Sequence, residues 1–332
     1  MQFDQLKRRE FITLLGGAAT WPLAARAQQG ERVRRLGALM SGAETDPEMQ
    51  ARLAGFRQGL GRFGWTDKRN IHVDYRFAAA NMDRAQELAR ELIALKPDVL
   101  VAWATGPAVA LQQQNRSIPM VFIGAEDPIG AGLITSLAHP GGNLTGTLLY
   151  EESIVGKWLA MLKEITPRLE RAAALFNPKS TMGIYVQAAK AVAPSLRIEL
   201  VPSFIETSAD IERAIDSFAA VPNGGLLVLP DLTTALHRDL IISLAAKHQL
   251  PAVYQARFWV AAGGLMSYGA DRVVASRQAA YYVDRILRGA APADLPVEGP
   301  TRFETTLNHK TAKALGLTVS PGLLIAADEV IE

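Results

Sequence analysis

Short apolar runs alternate with helix-length amphipathic stretches along almost the whole chain, and this pattern restricts the fold more than any other feature. Leu36-Gly-Ala-Leu-Met40 is an unbroken apolar run and predicts a buried strand. Pro47–Phe63 follows, with Met49, Leu53, Phe56 and Leu60 three or four apart, and predicts a helix. Ile71–Phe77 alternates apolar and polar residues, as an edge strand with one wet face does. The series continues with a helix at Asp83–Leu95, a strand at Val99–Trp103, a helix at Pro107–Gln114 and a strand at Pro119–Ile123. It then restarts, with strands at Ala172–Phe176, Arg197–Ile205, Leu226–Leu229 and Ala252–Tyr254. Helices at Ile184–Val192, Asp210–Ala219 and Ala235–Lys247 fall between them. Strands separated by helices of this length give parallel sheets covered on both faces, joined by right-handed crossovers.

The two halves echo each other. Asp98-Val-Leu-Val-Ala leads through a helix to Ile118-Pro-Met-Val-Phe, and Gly225-Leu-Leu-Val-Leu leads through a helix to Leu250-Pro-Ala-Val-Tyr. The expected architecture is α/β, with two similar doubly wound lobes. A length of 332 residues with 49% hydrophobic content suits two cores. In such sheets ligands sit off the carboxyl ends of the strands. The turns there supply Ser41, Thr105, Gly106, Asp127, Asn177, Asp231 and Tyr268 as candidate ligand-binding residues. Hydroxyls and helix-start amides suit a carboxylate, and Asp127 or Asp231 suits an ammonium group. Tyr268, Trp103 or Phe258 offers an aromatic wall. The same residue types also cap helices and make turns.

The N-terminus has a different character. Lys7-Arg8-Arg9-Glu10 precedes an apolar run from Phe11 to Ala25, closed by Ala25-Arg26-Ala27. This is the plan of a cleaved secretory signal over residues 1–27, and Arg8-Arg9 followed by Phe11-Ile12 gives it a twin-arginine character. The run is too short for a typical spanning helix. The signal holds four basic and two acidic residues, which leaves 31 of each in the 305 residues from Gln28. A neutral balance makes no electrostatic case for nucleic acid or an anionic membrane. The chain has no cysteine, so disulfides, thiolate metal sites and cysteine nucleophiles are excluded.

Catalytic signatures fail when tested. Gly264-Leu-Met-Ser267-Tyr-Gly269 has its first glycine one position too early for a nucleophile elbow. Gly130-Ala-Gly132 lacks the third glycine of a dinucleotide loop. The five histidines are isolated and show no ligand spacing, and no zinc, calcium or phosphate-loop pattern is present. The expectation is a binding protein with no cofactor, no metal and no catalytic residues, and a monomer.

Many motifs, in order, carry a family resemblance. They include Leu39-Met-Ser-Gly-Ala-Glu-Thr-Asp-Pro47, Asp127-Pro-Ile-Gly-Ala-Gly132, His139-Pro-Gly-Gly-Asn-Leu-Thr-Gly146, Leu175-Phe-Asn-Pro178, Leu229-Pro-Asp231 and Ala261-Ala-Gly-Gly-Leu-Met-Ser-Tyr-Gly269. Over Arg34–Glu332 the chain resembles the ABC transporter substrate-binding family that includes the tryptophan- and tyrosine-binding type. The resemblance implies a type I periplasmic-binding-protein fold, in which two lobes close on a ligand. It implies crossings at Asn143–Leu149, Gly264–Gly269 and Pro296–Phe303. The lobes would then be 34–146 plus 267–296, and 147–266 plus 297–332. It further implies a periplasmic protein that delivers a small molecule, an amino acid or a related aromatic carboxylate, to an ABC permease. A ligand-sensing module for a membrane receptor and a secreted α/β enzyme are the alternatives. Trp103, Glu126 and Phe258-Trp259 depart from the family pattern and would alter the ligand if they face the cleft.

Overall fold

The computed structural model describes residues 32–180 and 182–332. The 1–27 segment, read above as an export signal, lies outside the described residues. The first sheet holds β1 (Arg34–Met40), β2 (Ile71–Phe77), β3 (Val99–Trp103), β4 (Met120–Ala125) and β5 (Leu144–Leu148). They are all parallel, in the order β2-β1-β3-β4-β5. The central strands are buried on both faces, which accounts for their unbroken apolar runs. β2 lies at the edge and keeps its alternation.

The second sheet repeats this order with β7 (Glu199–Phe204), β6 (Arg171–Phe176), β8 (Gly224–Val228), β9 (Ala252–Tyr254) and β10 (Met266–Ala270). Two strands extend it. β11 (Phe303–Asn308) runs antiparallel to β10, and β12 (Glu329–Ile331) runs parallel to β11. The internal echo in the sequence is therefore a repeated strand order.

Helices cover both faces of each sheet. On the first, α1 (Pro47–Arg62) shares one core with Leu36, Ala38, Val101 and Trp103. The opposite core joins α2 (Met82–Ala94) and α3 (Thr105–Gln114) to Leu39, Leu100 and Ala102. On the second sheet, α4 (Ile154–Ile165) and α5 (Gly183–Val192) cover one face. The other is covered by α6 (Ser208–Ala219) and by α8 (Arg238–Lys247), which follows the short α7 (Leu232–Leu236). The helix expected over Ala235–Lys247 is thus two helices that meet at His237, because Asp231 caps an earlier start.

The helix after the fifth strand of each sheet packs on the other lobe. α4 follows β5 and packs on the second sheet. α10 (Arg272–Leu287) follows β10 and packs beside α1 on the first. Three crossings result. Leu148 N–H donates to Glu298 O (2.9 Å) and Asp271 N–H to Arg302 O (3.0 Å), so the three run side by side. Two boundaries differ from the sequence reading. β5 continues to Leu148, past Gly146. Ser267–Ala270 belong to the second sheet, because Ser267 pairs with Tyr254 of β9 and Thr306 of β11. The chain therefore returns to the first lobe only at Asp271.

Candidate functional site

A cavity of about 520 Å³ opens between the carboxyl ends of the two sets of strands. The first lobe contributes Ser41 after β1, Ala78, Ala80, Asn81 and Met82 after β2, Thr105 and Gly106 at the start of α3, and Gly124 and Glu126 at the end of β4. The second contributes Lys179, Ser180 and Met182 before α5, Asp231 and Leu232 at the start of α7, Gln255, and Phe258 in α9 (Arg257–Ala261). Leu149 and Arg272 enter from the crossings. The backbone is strained here. Ala80 and Ala104, both in the wall, and the adjacent Ala79 sit at φ of 59°, 73° and 49°, a region that L-residues with a Cβ avoid.

Of the residues expected from sequence, Ser41, Thr105, Gly106 and Asp231 line the cavity. Thr105 and Glu126 are tied together: the Thr105 hydroxyl donates to the Glu126 carboxylate and accepts from the Glu126 N–H (3.2 Å). Burial pushes the Glu126 carboxyl up, against those hydrogen bonds. Asp231 is the N-cap of α7. Its Oδ1 accepts from Thr234 N–H (2.9 Å) and its Oδ2 from Asn177 N–H (2.8 Å), while burial pushes its carboxyl up.

Asp127, Asn177 and Tyr268 do not line the cavity, and each has a local reason. Asp127 folds back so that Oδ1 accepts from Gly130 N–H (2.8 Å), which closes a turn. Asn177 braces Asp231 from behind, and its Nδ2 donates to Thr233 Oγ1 (2.8 Å). Tyr268 stacks on Phe303 with ring centroids 5.3 Å apart, because β10 pairs with β11. Among the departures, Glu126 and Phe258 do line the cavity. Trp103 is instead buried under α1, edge-on to Phe56 at 5.0 Å, and Trp259 is buried against Tyr254.

The candidates drawn from the sequence do not include Arg52, Arg272 or Gln255, though Gln255 stands in the turn that ends the Ala252–Tyr254 strand. Arg52 lies on α1 and Arg272 is the first residue of α10, and the close approach of these helices brings the two guanidiniums to one wall. Arg272 donates to Tyr150 Oη (2.9 Å). Burial, and then the charge of Arg272, pull Arg52 down to about 10. Among the described residues, the buried Arg52 Nε, Arg272 Nε and Gln255 Oε1 have no hydrogen-bond partner. A signal for Arg52 was present: it is the one charged residue in the Met49-Leu53-Phe56 stripe of α1. Tyr185 bridges the lobes. Its hydroxyl, from α5, donates to Glu126 O (2.8 Å) in the first lobe.

The family model described as "ABC transporter substrate binding protein" matches residues 44–331. A tyrosine-binding protein of Clostridioides difficile (strain R20291) is 27% identical over 278 residues, covering 82% of this chain and 78% of the relative. Two crystal structures share the fold. An ABC domain from Streptococcus pneumonia in complex with L-Trp has a TM-score of 0.82 at 24% identity, over 90% of this chain and 99% of that one. A conserved domain protein of Vibrio cholerae has a TM-score of 0.81 at 29% identity, over 90% and 100%. With two lobes of matching strand order, a cavity between their strand ends and a family match over nearly all the described residues, this chain belongs to the ABC transporter substrate-binding protein family.

Proposed function

We propose that the chain is exported by its N-terminal signal, captures a small molecule in the interlobe cavity and delivers it to an ABC permease. The ligand class is an amino acid or a related aromatic carboxylate. One observation carries the reading: a cavity of about 520 Å³ takes its wall from the strand ends of both lobes and from the crossings that join them. A ligand that touches both lobes binds the closed arrangement more tightly and shifts the population toward it. The wall does no chemistry on the ligand. The relatives described above, a tyrosine-binding protein and a domain in complex with L-Trp, support the class. No helix among the described residues is long and apolar enough to cross a membrane.

The test is a thermal-shift screen of the chain from Gln28 with the common amino acids, aromatic acids, small dicarboxylates and polyols. A ligand specific for the folded state raises the midpoint with its concentration. A saturable rise with an amino acid or an aromatic acid is the expected result. Response only to polyols refutes the ligand class, and no response from a cooperatively melting sample refutes the function.

A further inference from the structure

Three cations and two carboxylates line the cavity, and their partners divide them. Lys179 is paired with Glu206 and exposed. Asp231 spends both oxygens on backbone N–H groups, and Glu126 is buried with the Thr105 hydroxyl on it. Asp231 has no oxygen left for an ammonium group, and Glu126 keeps one, Oε1, on a carboxyl that burial pushes up. The arginines are the opposite case. Arg52 is 9% exposed and meets one carboxylate, Glu48, at 3.5 Å. Among the described residues Arg272 has a single hydrogen bond, to a neutral hydroxyl. Among the described residues the buried Arg272 Nε has no partner, and the buried Arg52 Nε has only that long ionic contact with Glu48 and no hydrogen bond. Two neighbouring guanidiniums with so little compensation are costly unless an anion joins them.

We propose that the cavity selects an organic acid with a carboxylate on an apolar, ring-sized body and no α-ammonium group, and that Arg52 and Arg272 hold that carboxylate. This rests on the small-molecule-binding reading above and narrows its ligand class. Guanidinium forks suit a carboxylate because both oxygens can be met at once. Met82, Val109, Ile123, Leu149, Leu232 and Phe258 supply an apolar wall for the body. An inorganic anion would leave that wall empty. The volume falls in the usual range for ligands of this size, roughly 300–1,000 Å³. An amino acid would bring its ammonium beside the same two guanidiniums, where like charges repel, and the carboxylate oxygen left open in the wall, on Glu126, belongs to a carboxyl that burial pushes up.

The test is calorimetry on the chain from Gln28, unfolded and refolded to strip any retained molecule. Matched sets are 3-phenylpropanoate, phenylalanine and 3-phenylpropanol; 3-(4-hydroxyphenyl)propanoate, tyrosine and 3-(4-hydroxyphenyl)propanol; indole-3-propanoate, tryptophan and indole-3-propanol; and sodium sulfate alone. In at least one set the acid is expected to bind about tenfold or more tighter than both its amino acid and its alcohol, the loss expected for one charge-assisted contact. Arg272→Gln is expected to remove that preference, and Arg272→Lys to retain part of it. These comparisons hold on the unaltered protein even if a variant fails to fold. An amino acid that binds as tightly as its acid overturns the inference and leaves the binding function standing. An alcohol or sulfate that matches the acid also overturns it. No binding in any set overturns it as well, and a response to no solute in the wider thermal screen overturns the function beneath it.

Discussion

The contact between α1 and α10 sets where Arg272 enters the cavity, and two glycines in α1 hold it. A Cβ on Gly55 would lie 2.8 Å from Val273 O, and one on Gly59 would lie 2.5 Å from Arg277 O and 2.7 Å from Ala280 Cβ. Two effects oppose each other in Gly59→Ala. Alanine favours the helix by about 0.5–1 kcal/mol. Overpacking costs about 1–3 kcal/mol, toward the upper end here because a backbone carbonyl cannot rotate aside and all of α10 must shift. Overpacking wins, and the net loss is about 1–2 kcal/mol. For a lobe of this size that lowers the melting midpoint by roughly 2–8 °C. Gly61→Ala is the matched control. It lies in the same helix, its Cβ meets nothing within 4 Å, and only the propensity gain remains, so its midpoint rises by about 1–4 °C. Differential scanning calorimetry of both variants of the chain from Gln28 separates the two effects. A Gly59→Ala protein that melts at or above the unaltered one would show that α10 does not rest on this backbone, and that this contact does not position Arg272.

Trp103→Ala removes a side chain 1% exposed in the first lobe and is expected to cost about 3–5 kcal/mol in denaturant unfolding. Trp103→Phe should leave ligand affinity unchanged, since Trp103 lies beneath the sheet and not in the wall. Tyr185→Phe deletes the hydroxyl that reaches Glu126 O across the lobes. At about 1 kcal/mol per buried hydrogen bond, calorimetry should find ligand bound about fivefold more weakly, whereas an unchanged affinity would dismiss the bridge. Glu304 is half-buried, and burial followed by the charges of Asp271 and Glu48 raises its carboxyl from 4.5 to about 7. The folded state therefore holds this proton more tightly than the unfolded chain. The stability it confers is present below 4.5 and lost as pH rises through about 7, so melting should fall over that window and Glu304→Gln should flatten the fall.

The sequence made the α/β alternation legible because strands buried on both faces must be apolar throughout, as in Val99–Trp103, and the helices beside them carry a 3.6-residue stripe. β10 was not legible as a strand of the second sheet. Leu-Met-Ser-Tyr between Gly264 and Gly269 reads as a connection, and only pairing with β9 and β11 makes it a strand. The strand ends were legible as the place of the site, but side-chain direction was not. Asp127 turns back to Gly130, and Tyr268 turns to Phe303, through contacts that turn geometry and sheet order decide. Trp103 points the same way as Val101, two residues earlier, and so into the core shared with α1. Arg272 was hidden for a topological reason: it belongs to a helix that leaves one lobe to pack on the other, and nothing local in the sequence marks that exchange.

If the interlobe cavity is where a small molecule binds, filling it must abolish binding. Native mass spectrometry with calorimetry tests it on two proteins: the chain from Gln28, and an Ala235→Trp variant that fills the cavity from an exposed wall position. The expected result is one ligand per chain for the unaltered protein and none for the filled variant, with both proteins melting alike. A ligand that binds the filled variant with the same stoichiometry and affinity would place binding elsewhere and contradict the account.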